Sequence, residues 1–290
     1  MSASSIYARR RITNVLAMLF SGCATALGLL FLVWILWVTA SNGLHSIHLS
    51  LFTKITAYAD QGGLSNAIAG SLLMDLMAMV MCVPIGVLAG TYLAEYANIS
   101  KLGASIRFLN DILLSAPSIV LGLFVYVIIV LPMSNLTDGR ISFSGFAGSV
   151  ALALIGLPVI VRTTDEMLQL VPGTLREAAL SLGVPQWKLT VQVLMRAASS
   201  GILTGVLLAL ARLAGETAPL LFTAFGNNFM TVHPLDKMAS LPAAIYQYTN
   251  DPSPALHSIA WAGALLITLF VLALSLLSRL LFSRKKVRYE

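Results

Sequence analysis

The sequence predicts an all-α integral membrane protein with six membrane-spanning helices. Apolar residues make up 58% of its 290 residues and charged residues only 10%, whereas soluble domains have about 25% charged residues. The apolar residues gather in blocks close to the roughly 20 residues that a helix needs to cross a bilayer. The six predicted spans are Leu16–Val38, Ala67–Leu93, Ile112–Leu131, Phe146–Val161, Gly201–Phe225 and Leu256–Leu281.

The distribution of cationic residues predicts that both termini lie on the cytoplasmic side. With the N-terminus inside, fourteen of the 18 Lys and Arg residues fall on the inner side and Arg212 lies within the membrane. The outer side then has only Lys54, Arg140 and Lys237. Cytoplasmic loops carry such an excess of cations. The net charge of +6 therefore reflects orientation and attraction to anionic lipid, and it gives little support to nucleic-acid binding.

Three segments follow from this order of elements. Residues 1–62 hold a short tail, the first span and an outer loop, and the predicted turn Asp60–Gly63 marks the boundary with the next segment. The first apolar stretch has 23 residues, more than the roughly 7–15 of a signal peptide, which favours an uncleaved anchor. Residues 63–282 form the main five-span domain, and residues 283–290 form a basic cytoplasmic tail.

Asp75 is an acidic residue inside the second predicted span. An ionisable group at membrane depth is costly and normally faces the interior of the helix bundle or water. Two interpretations stay open: Asp75 lies on a transport pathway, or it is close enough to the outer interface to be hydrated. Cys23 and Cys82 both fall within spans, so neither a disulfide nor a metal site is predicted.

A polar loop from Arg162 to Arg196 separates spans four and five and contains a short predicted helix. Thr174 and Glu177 have the spacing of a capping box, and Gly183 followed by Pro185 is a helix stop. One narrow face of this helix is formed by Leu175, Ala178, Ala179 and Leu182. Because so short a helix is unstable alone, we expect it to dock on another surface.

The fifth span contains a polar centre. Arg212 and Glu216 are four residues apart, which places them on one helix face, and the next residue, Thr217, is a further candidate for a substrate pathway. Pro219 removes the backbone hydrogen bond to Gly215, and an opened helix is tolerated only against protein or a wet cavity. The pair is either a permeation site, where the planar guanidinium binds two oxygens of an anion, or a self-neutralising ion pair.

Several motifs resemble a known family. Glu177-Ala178-Ala179, three residues and then Gly183 resemble the EAA loop of bacterial ABC importer permeases. Arg196 stands where that signature usually ends in proline, and together with Gly205–Thr223 and Met238–Pro242 it is similar to the phosphate-specific branch. The resemblance extends over residues 62–282. It implies a type I, MetI-like core of five helices preceded by an N-terminal helix, with Glu177, Ala178, Ala179 and Gly183 coupling to a cytoplasmic ATPase.

The same resemblance implies the partners. They are a PstC-type permease chain, a PstB-type ATPase dimer and an external PstS-type phosphate-binding protein, assembled in the bacterial inner membrane. No lysine follows a glycine in the chain, so a Walker A motif is absent. We therefore expect no enzyme activity and no cofactor in this chain, with ATP and Mg²⁺ bound by the partner ATPase.

For a phosphate permease, Glu216 suggests a basis for selectivity. Hydrogen phosphate keeps a proton that it can donate to a carboxylate, whereas sulfate cannot donate one at neutral pH. In a simpler hypothesis Glu216 only orients Arg212. Three other functions also stay open: a permease for molybdate or sulfate, a proton-coupled transporter using Asp75 or Glu216, and a membrane signalling subunit that transports nothing.

Overall fold

A computed structural model describes residues 3–56, 62–97 and 100–283 of the chain. The predicted turn at Asp60–Gly63 lies partly outside these residues, and the basic tail from Arg284 lies wholly outside them. Within the described ranges the regular structure is helical apart from one isolated bridge between Phe225 and Met238. The protein is therefore an all-α bundle in its described part.

The helices alternate between long membrane-crossing segments and short segments at the two ends of the bundle. Two stretches are wound as wider π-helical turns, Tyr126–Val130 and Leu189–Leu194. The α-helices are α1 (Ala3–Ser46), α2 (Ser50–Thr53), α3 (Ser65–Glu95), α4 (Lys101–Ser115), α5 (Ser118–Val125), α6 (Leu131–Leu136), α7 (Gly145–Gln169), α8 (Gly173–Ser181), α9 (Gln186–Lys188), α10 (Met195–Leu213), α11 (Ala218–Thr223), α12 (Leu241–Thr249) and α13 (Pro254–Ser283).

The prediction of six membrane-spanning helices is confirmed. Six helical segments of the described chain are long and apolar enough to cross a membrane: Arg9–Ser46, Ser65–Glu95, Ser118–Leu136, Gly145–Gln169, Gln186–Leu213 and Pro254–Leu280. The third begins at Ser118 rather than at Ile112, because Ala116 and Pro117 adopt extended backbone angles between α4 and α5. A residue that precedes proline is disfavoured in the α region, which explains the helix end.

The fifth span also differs from its prediction. It begins at Gln186, fifteen residues before the predicted Gly201, and it stops at Leu213 instead of continuing to Phe225. At the N-terminal end of the predicted loop, α7 continues past Arg162 to Gln169. The predicted 35-residue loop is therefore mostly helical, and its turns are confined to the residues on either side of α8.

Helix α7 lies at the centre of the bundle and packs against α3, α4, α5, α10 and α11. Its close approach to α3 depends on Gly90, where an added Cβ would lie 2.6 Å from the Thr164 Cβ and from the Val161 carbonyl oxygen. At Gly205 of α10, an added Cβ would lie 2.7 Å from the Thr163 Cβ. Small residues let membrane helices approach closely where the hydrophobic effect cannot drive them together.

Helix α1 contacts the rest of the bundle mainly through α13. Gly43, near its end, faces the Leu265 side chain and the Trp261 carbonyl, whereas its apolar side chains from Ile12 to Trp37 are largely exposed. An exposed all-round apolar helix suits a lipid environment.

The two ends of the bundle carry different short elements. We call the end with α4, α8 and α9, which holds the predicted coupling loop, the coupling end, and the end with α2, α12 and residues 225–240 the opposite end. At the opposite end, the Asn66 amide donates to the Thr56 hydroxyl and to the Asn227 carbonyl. The Leu241 N–H donates to the Ser71 hydroxyl, so this end is tied to α3 by polar contacts.

Candidate permeation and coupling sites

The fifth span is broken between Leu213 and Ala218. The Gly215 and Glu216 N–H groups bond three residues back, to the Arg212 and Leu213 carbonyls, at 3.3 and 3.0 Å. Helix α11 then starts at Ala218 with Pro219 in its first turn, a position where the missing N–H of proline costs nothing. The opened helix predicted from Gly215 and Pro219 is therefore present, as a full interruption.

Arg212 belongs to the last turn of α10 and Glu216 lies within the interruption, so the two residues do not share one continuous helix face, which corrects the sequence prediction. The Arg212 Nε lies 3.8 Å from the Glu216 Oε1, and the side chains are 42% and 16% exposed. At 3.8 Å the contact is an ion pair without a hydrogen bond. Within the described part of the chain, no hydrogen bond from the Arg212 guanidinium reaches an acceptor, so its donors remain available to a ligand.

Thr217 and Asp75 occupy the surroundings of the interruption. Thr217 immediately precedes α11 and is half-buried. Asp75 is 5% exposed on α3 and borders a cavity of about 280 Å³ that Ala214 also lines. Its carboxylate has no hydrogen-bond or ion-pair partner among the residues that the structure describes. The cavity thus connects the Asp75 region to the broken segment, while its other walls are apolar side chains such as Leu266 and Phe270.

The end of α8 is as the sequence predicts. Gly183 has a φ of 74°, in the left-handed region that favours glycine. Its N–H donates to the Leu180 carbonyl, and the Val184 N–H donates to the Ala179 carbonyl at 3.3 Å. Pro185 follows as the N-cap residue of α9, which begins at Gln186.

The start of α8 is not as predicted. The helix begins at Gly173 after Pro172, whose carbonyl accepts the Leu175 N–H, and no side chain caps it. Thr174 lies inside the first turn, so the predicted capping box with Glu177 is wrong. Two patterns that indicate a helix start, Pro172-Gly173 and Thr174-x-x-Glu177, lie next to each other here. The helix begins at the first of them, because Pro172 restricts the backbone angles of the residue before the helix.

The predicted docking face of α8 is divided in the structure. Ala179 is 9% exposed and packs inward against a cluster that includes Leu168 and Leu194. In contrast, Leu182 is 82% exposed, and Glu177 and Ala178 are exposed as well. Helix α8 therefore holds to its own chain through one side and presents the other side to the surroundings.

Two arginine clusters at the coupling end were missed by the sequence reasoning. Arg176 donates to the Glu95 carboxylate at 2.8 Å and to the Leu168 and Val171 carbonyls at 2.7 Å each. No local signal in the sequence links Arg176 to Glu95, since 81 residues separate them.

The second cluster centres on Asp165. Arg107 donates to both Asp165 oxygens, at 2.7 and 3.1 Å, and to the Leu93 carbonyl at 2.9 Å. The Gln169 amide donates to the same carboxylate. Bonding to Asp165 raises the pKa of Arg107, so its charge persists at every physiological pH.

Comparison with known proteins identifies the class. Residues 82–287 match the family described as binding-protein-dependent transport system inner membrane component. A solved chain of the MetNI methionine ABC transporter in an inward-facing conformation shares the fold, with a TM-score of 0.56 and 20% identity over 76% of this chain and 94% of that chain. The chain belongs to this family of multi-pass membrane transport subunits.

Two similar proteins indicate the branch of this family that the chain resembles. The phosphate transport system permease protein PstA of Xylella fastidiosa (strain 9a5c) is 55% identical over 100% of this chain and 99% of its own length. The protein of the same name from Yersinia pestis is 49% identical over 96% of this chain and 92% of its own length. The resemblance stated from the EAA loop and its flanking motifs is thereby confirmed.

Proposed function

We propose that the chain is the membrane-spanning permease subunit of an ATP-driven importer of inorganic phosphate. The observation that carries the proposal is the guanidinium of Arg212 at the interruption of the fifth span, which is partly exposed and donates no hydrogen bond to any residue that the structure describes. The relatives described as phosphate transport system permease proteins support the substrate.

Arg212 has the chemistry that an oxyanion needs. A guanidinium presents parallel N–H donors that match two oxygens of a phosphate, and it stays charged at all relevant pH values. Its 42% exposed side chain leaves room for a ligand to approach. The interruption beside it, at Gly215 and Glu216, supplies the irregular backbone that membrane proteins place only against protein or a wet cavity.

Glu216 would provide selectivity. Its carboxylate is largely buried and 3.8 Å from Arg212, close enough for one anion to contact both groups. Hydrogen phosphate can accept from Arg212 and donate its proton to Glu216, whereas sulfate would leave the carboxylate without a donor. Leaving a buried acceptor unpaired costs about 1–3 kcal/mol, which corresponds to roughly fivefold to a hundredfold or more in affinity at 1.4 kcal/mol per factor of ten.

The orientation that suits this function places the coupling end in the cytoplasm. The excess of cations on that side supports it, and so does the exposed surface of α8 with Glu177, Ala178 and Leu182. We place the protein in the bacterial inner membrane, with α2, α12 and residues 225–240 facing outward toward an external phosphate-binding protein.

The remaining parts of the importer come from other chains. A second permease chain, of the PstC type, would complete the pathway. A PstB-type ATPase dimer would bind ATP and Mg²⁺ and receive α8 in a groove, with Gly183 fixing the turn that follows the helix. This chain itself would bind no cofactor and catalyse no reaction. Closure of the ATPase dimer on ATP would move α8, and the spans would alternate between outward and inward access.

Uptake of radiolabelled phosphate tests the proposal. Vesicles holding the full complex are loaded with ATP, and wild type is compared with Arg212→Gln and with Arg162→Gln as the matched control. Arg162 is an exposed arginine paired with Glu166 at the end of α7, away from the interruption. We expect Arg212→Gln to abolish uptake while the ATPase still co-purifies, and Arg162→Gln to retain it. Undiminished uptake in Arg212→Gln would remove Arg212 from the anion route.

A further inference from the structure

Arg176 joins three helices with one side chain. Its Nη2 donates to the Glu95 Oε1 at 2.8 Å and to the Leu168 carbonyl, and its Nη1 donates to the Val171 carbonyl. Glu95 is the last residue of α3, Leu168 lies in the last turn of α7, and Arg176 itself belongs to α8. A single guanidinium therefore binds the inner ends of two membrane helices to the short helix between spans four and five.

The chemistry of this contact requires arginine. Carbonyl groups at the C-terminal end of a helix lack intrahelical donors, and the helix dipole makes that end attractive to a cation. A planar fork can serve two carbonyls and a carboxylate at once, whereas a lysine ammonium is a point charge with different geometry. The Glu95 side chain is only 7% exposed and that of Arg176 is 26% exposed, so water screens this pair little.

Arg176 and its neighbour Glu177 point in different directions. Successive residues of a helix are about 100° apart, and Glu177 is exposed while Arg176 is half-buried. The surface that a cytoplasmic ATPase would contact and the contact with α3 therefore lie on adjacent residues of one short, stiff helix. A displacement of α8 would be transmitted to Glu95 through this guanidinium.

The receiving end of α3 is itself held firmly. The Leu93 carbonyl accepts from Arg107, which also binds Asp165 of α7. Helix α3 then runs from Glu95 to Ser65, with Pro84 inside it, and carries Asp75, which shares a cavity with Ala214 at the broken fifth span. A displacement of Glu95 is thus applied to a helix whose Asp75 borders the same cavity as Ala214, a residue between Arg212 and Glu216 at the proposed permeation site.

We propose that the Arg176–Glu95 ion pair is a positioning link that carries the ATP-driven movement of α8 to α3. The proposal rests on the proposed function of the chain as a transport subunit driven by a separate ATPase. A contact with a purely structural role would stabilise the protein but would leave the ratio of transport to ATP hydrolysis unchanged. A change in the amount of phosphate transported per ATP hydrolysed therefore distinguishes a positioning link from a purely structural contact.

The test uses the complete importer in proteoliposomes, with the binding protein and labelled phosphate outside and ATP supplied to the ATPase. Phosphate transported and ATP hydrolysed are measured together for wild type, Glu95→Gln and Arg176→Lys, each with co-purification of the ATPase. We expect both variants to assemble and to hydrolyse ATP. Phosphate moved per ATP should fall at least about fivefold, the lower end of typical coupling between sites. Arg162→Gln is the matched control, because it removes an arginine–glutamate ion pair within α7 and leaves the hydrogen bonds of Glu95, Leu93 and Arg176 in place.

An unchanged ratio in Glu95→Gln, with an assembled complex, would overturn the proposal. A second readout does not need phosphate transport: amide hydrogen exchange of residues 90–95 and 173–181 with and without ATP. In wild type we expect ATP to change exchange in both segments, and in Glu95→Gln only in residues 173–181. If the wild-type complex moves no phosphate, the proposed substrate fails, and the exchange pattern still decides whether the link exists. A response of residues 90–95 that survives in Glu95→Gln would refute it.

Discussion

The Arg107–Asp165 cluster allows the most quantitative prediction for stability. Arg107→Met would leave the Asp165 carboxylate, which is 10% exposed, without its two guanidinium bonds. Removing one partner of a buried ion pair costs about 3–5 kcal/mol. We expect the lower end, about 3 kcal/mol, because the Gln169 amide still donates to Asp165 and the Arg107 side chain is already 29% exposed.

A double substitution separates the cost of an unpaired charge from the value of the pair. Replacing a buried pair by apolar residues of similar size is often neutral or stabilising. We therefore expect Arg107→Met with Asp165→Leu to recover more than half of the stability that Arg107→Met alone loses. Non-additivity of this kind is the expected behaviour of residues in direct contact.

Cys82 provides the assay. It is 1% exposed, whereas Cys23 is exposed on α1, so in a Cys23→Ser background a fluorescent maleimide reports unfolding of the bundle on heating. At about 2–4 °C per kcal/mol for chains of this size, Arg107→Met should melt roughly 6–12 °C below its parent. The exposed pair Arg162–Glu166 serves as control, since Arg162→Gln should leave the melting temperature unchanged. A wild-type melting temperature in Arg107→Met, or a double variant as unstable as the single one, would refute this reasoning.

Three further substitutions test other features by the same melting assay. Gly90→Leu should destabilise the α3–α7 contact by about 1–3 kcal/mol through overpacking, whereas Gly28→Leu, with no atom within 4 Å of an added Cβ, should not. Gly183→Val should cost about 1–2 kcal/mol at its positive φ and reduce co-purification of the ATPase, with Gly173→Ala as control. Asp75→Leu should raise the melting temperature, since Asp75 is buried without a partner among the described residues and such a polar group costs about 1–3 kcal/mol, and it should lower phosphate uptake. Undiminished uptake in Asp75→Leu would take that residue off the pathway.

Features encoded by local patterns could be predicted from the sequence. The six spans follow from blocks of apolar residues, because backbone groups in lipid must be satisfied within a helix. The end of α8 follows from Gly183 and Pro185, which restrict the backbone directly. The opened fifth span follows from Gly215 and Pro219 for the same reason, although the pattern does not give the length of the interruption.

Features that depend on the tertiary arrangement could not be predicted. The chain has 18 Lys and Arg and 12 Asp and Glu, and nothing local selects Glu95 as the partner of Arg176 or Asp165 as the partner of Arg107. The sequence also could not predict that Ala179 packs against its own chain, since a small residue on α8 can contact an external partner as well as the interior of the same chain. The start of α8 was predicted wrongly because two patterns that each indicate a helix start, Pro172-Gly173 and Thr174–Glu177, lie within one helical turn of each other.

The claim that this chain is the permease subunit of a phosphate importer is tested most directly by the anion selectivity of ATP-driven uptake. Vesicles holding the complete complex would be given labelled phosphate with an excess of unlabelled sulfate or molybdate, for wild type and for Glu216→Gln. We expect wild type to import phosphate undisturbed by sulfate, and Glu216→Gln to become sensitive to sulfate because an amide can donate to a fully deprotonated anion. Two results would contradict the account of this chain as a phosphate permease. One is that sulfate or molybdate inhibits wild-type uptake as strongly as unlabelled phosphate does, and the other is that the complex takes up no phosphate at all.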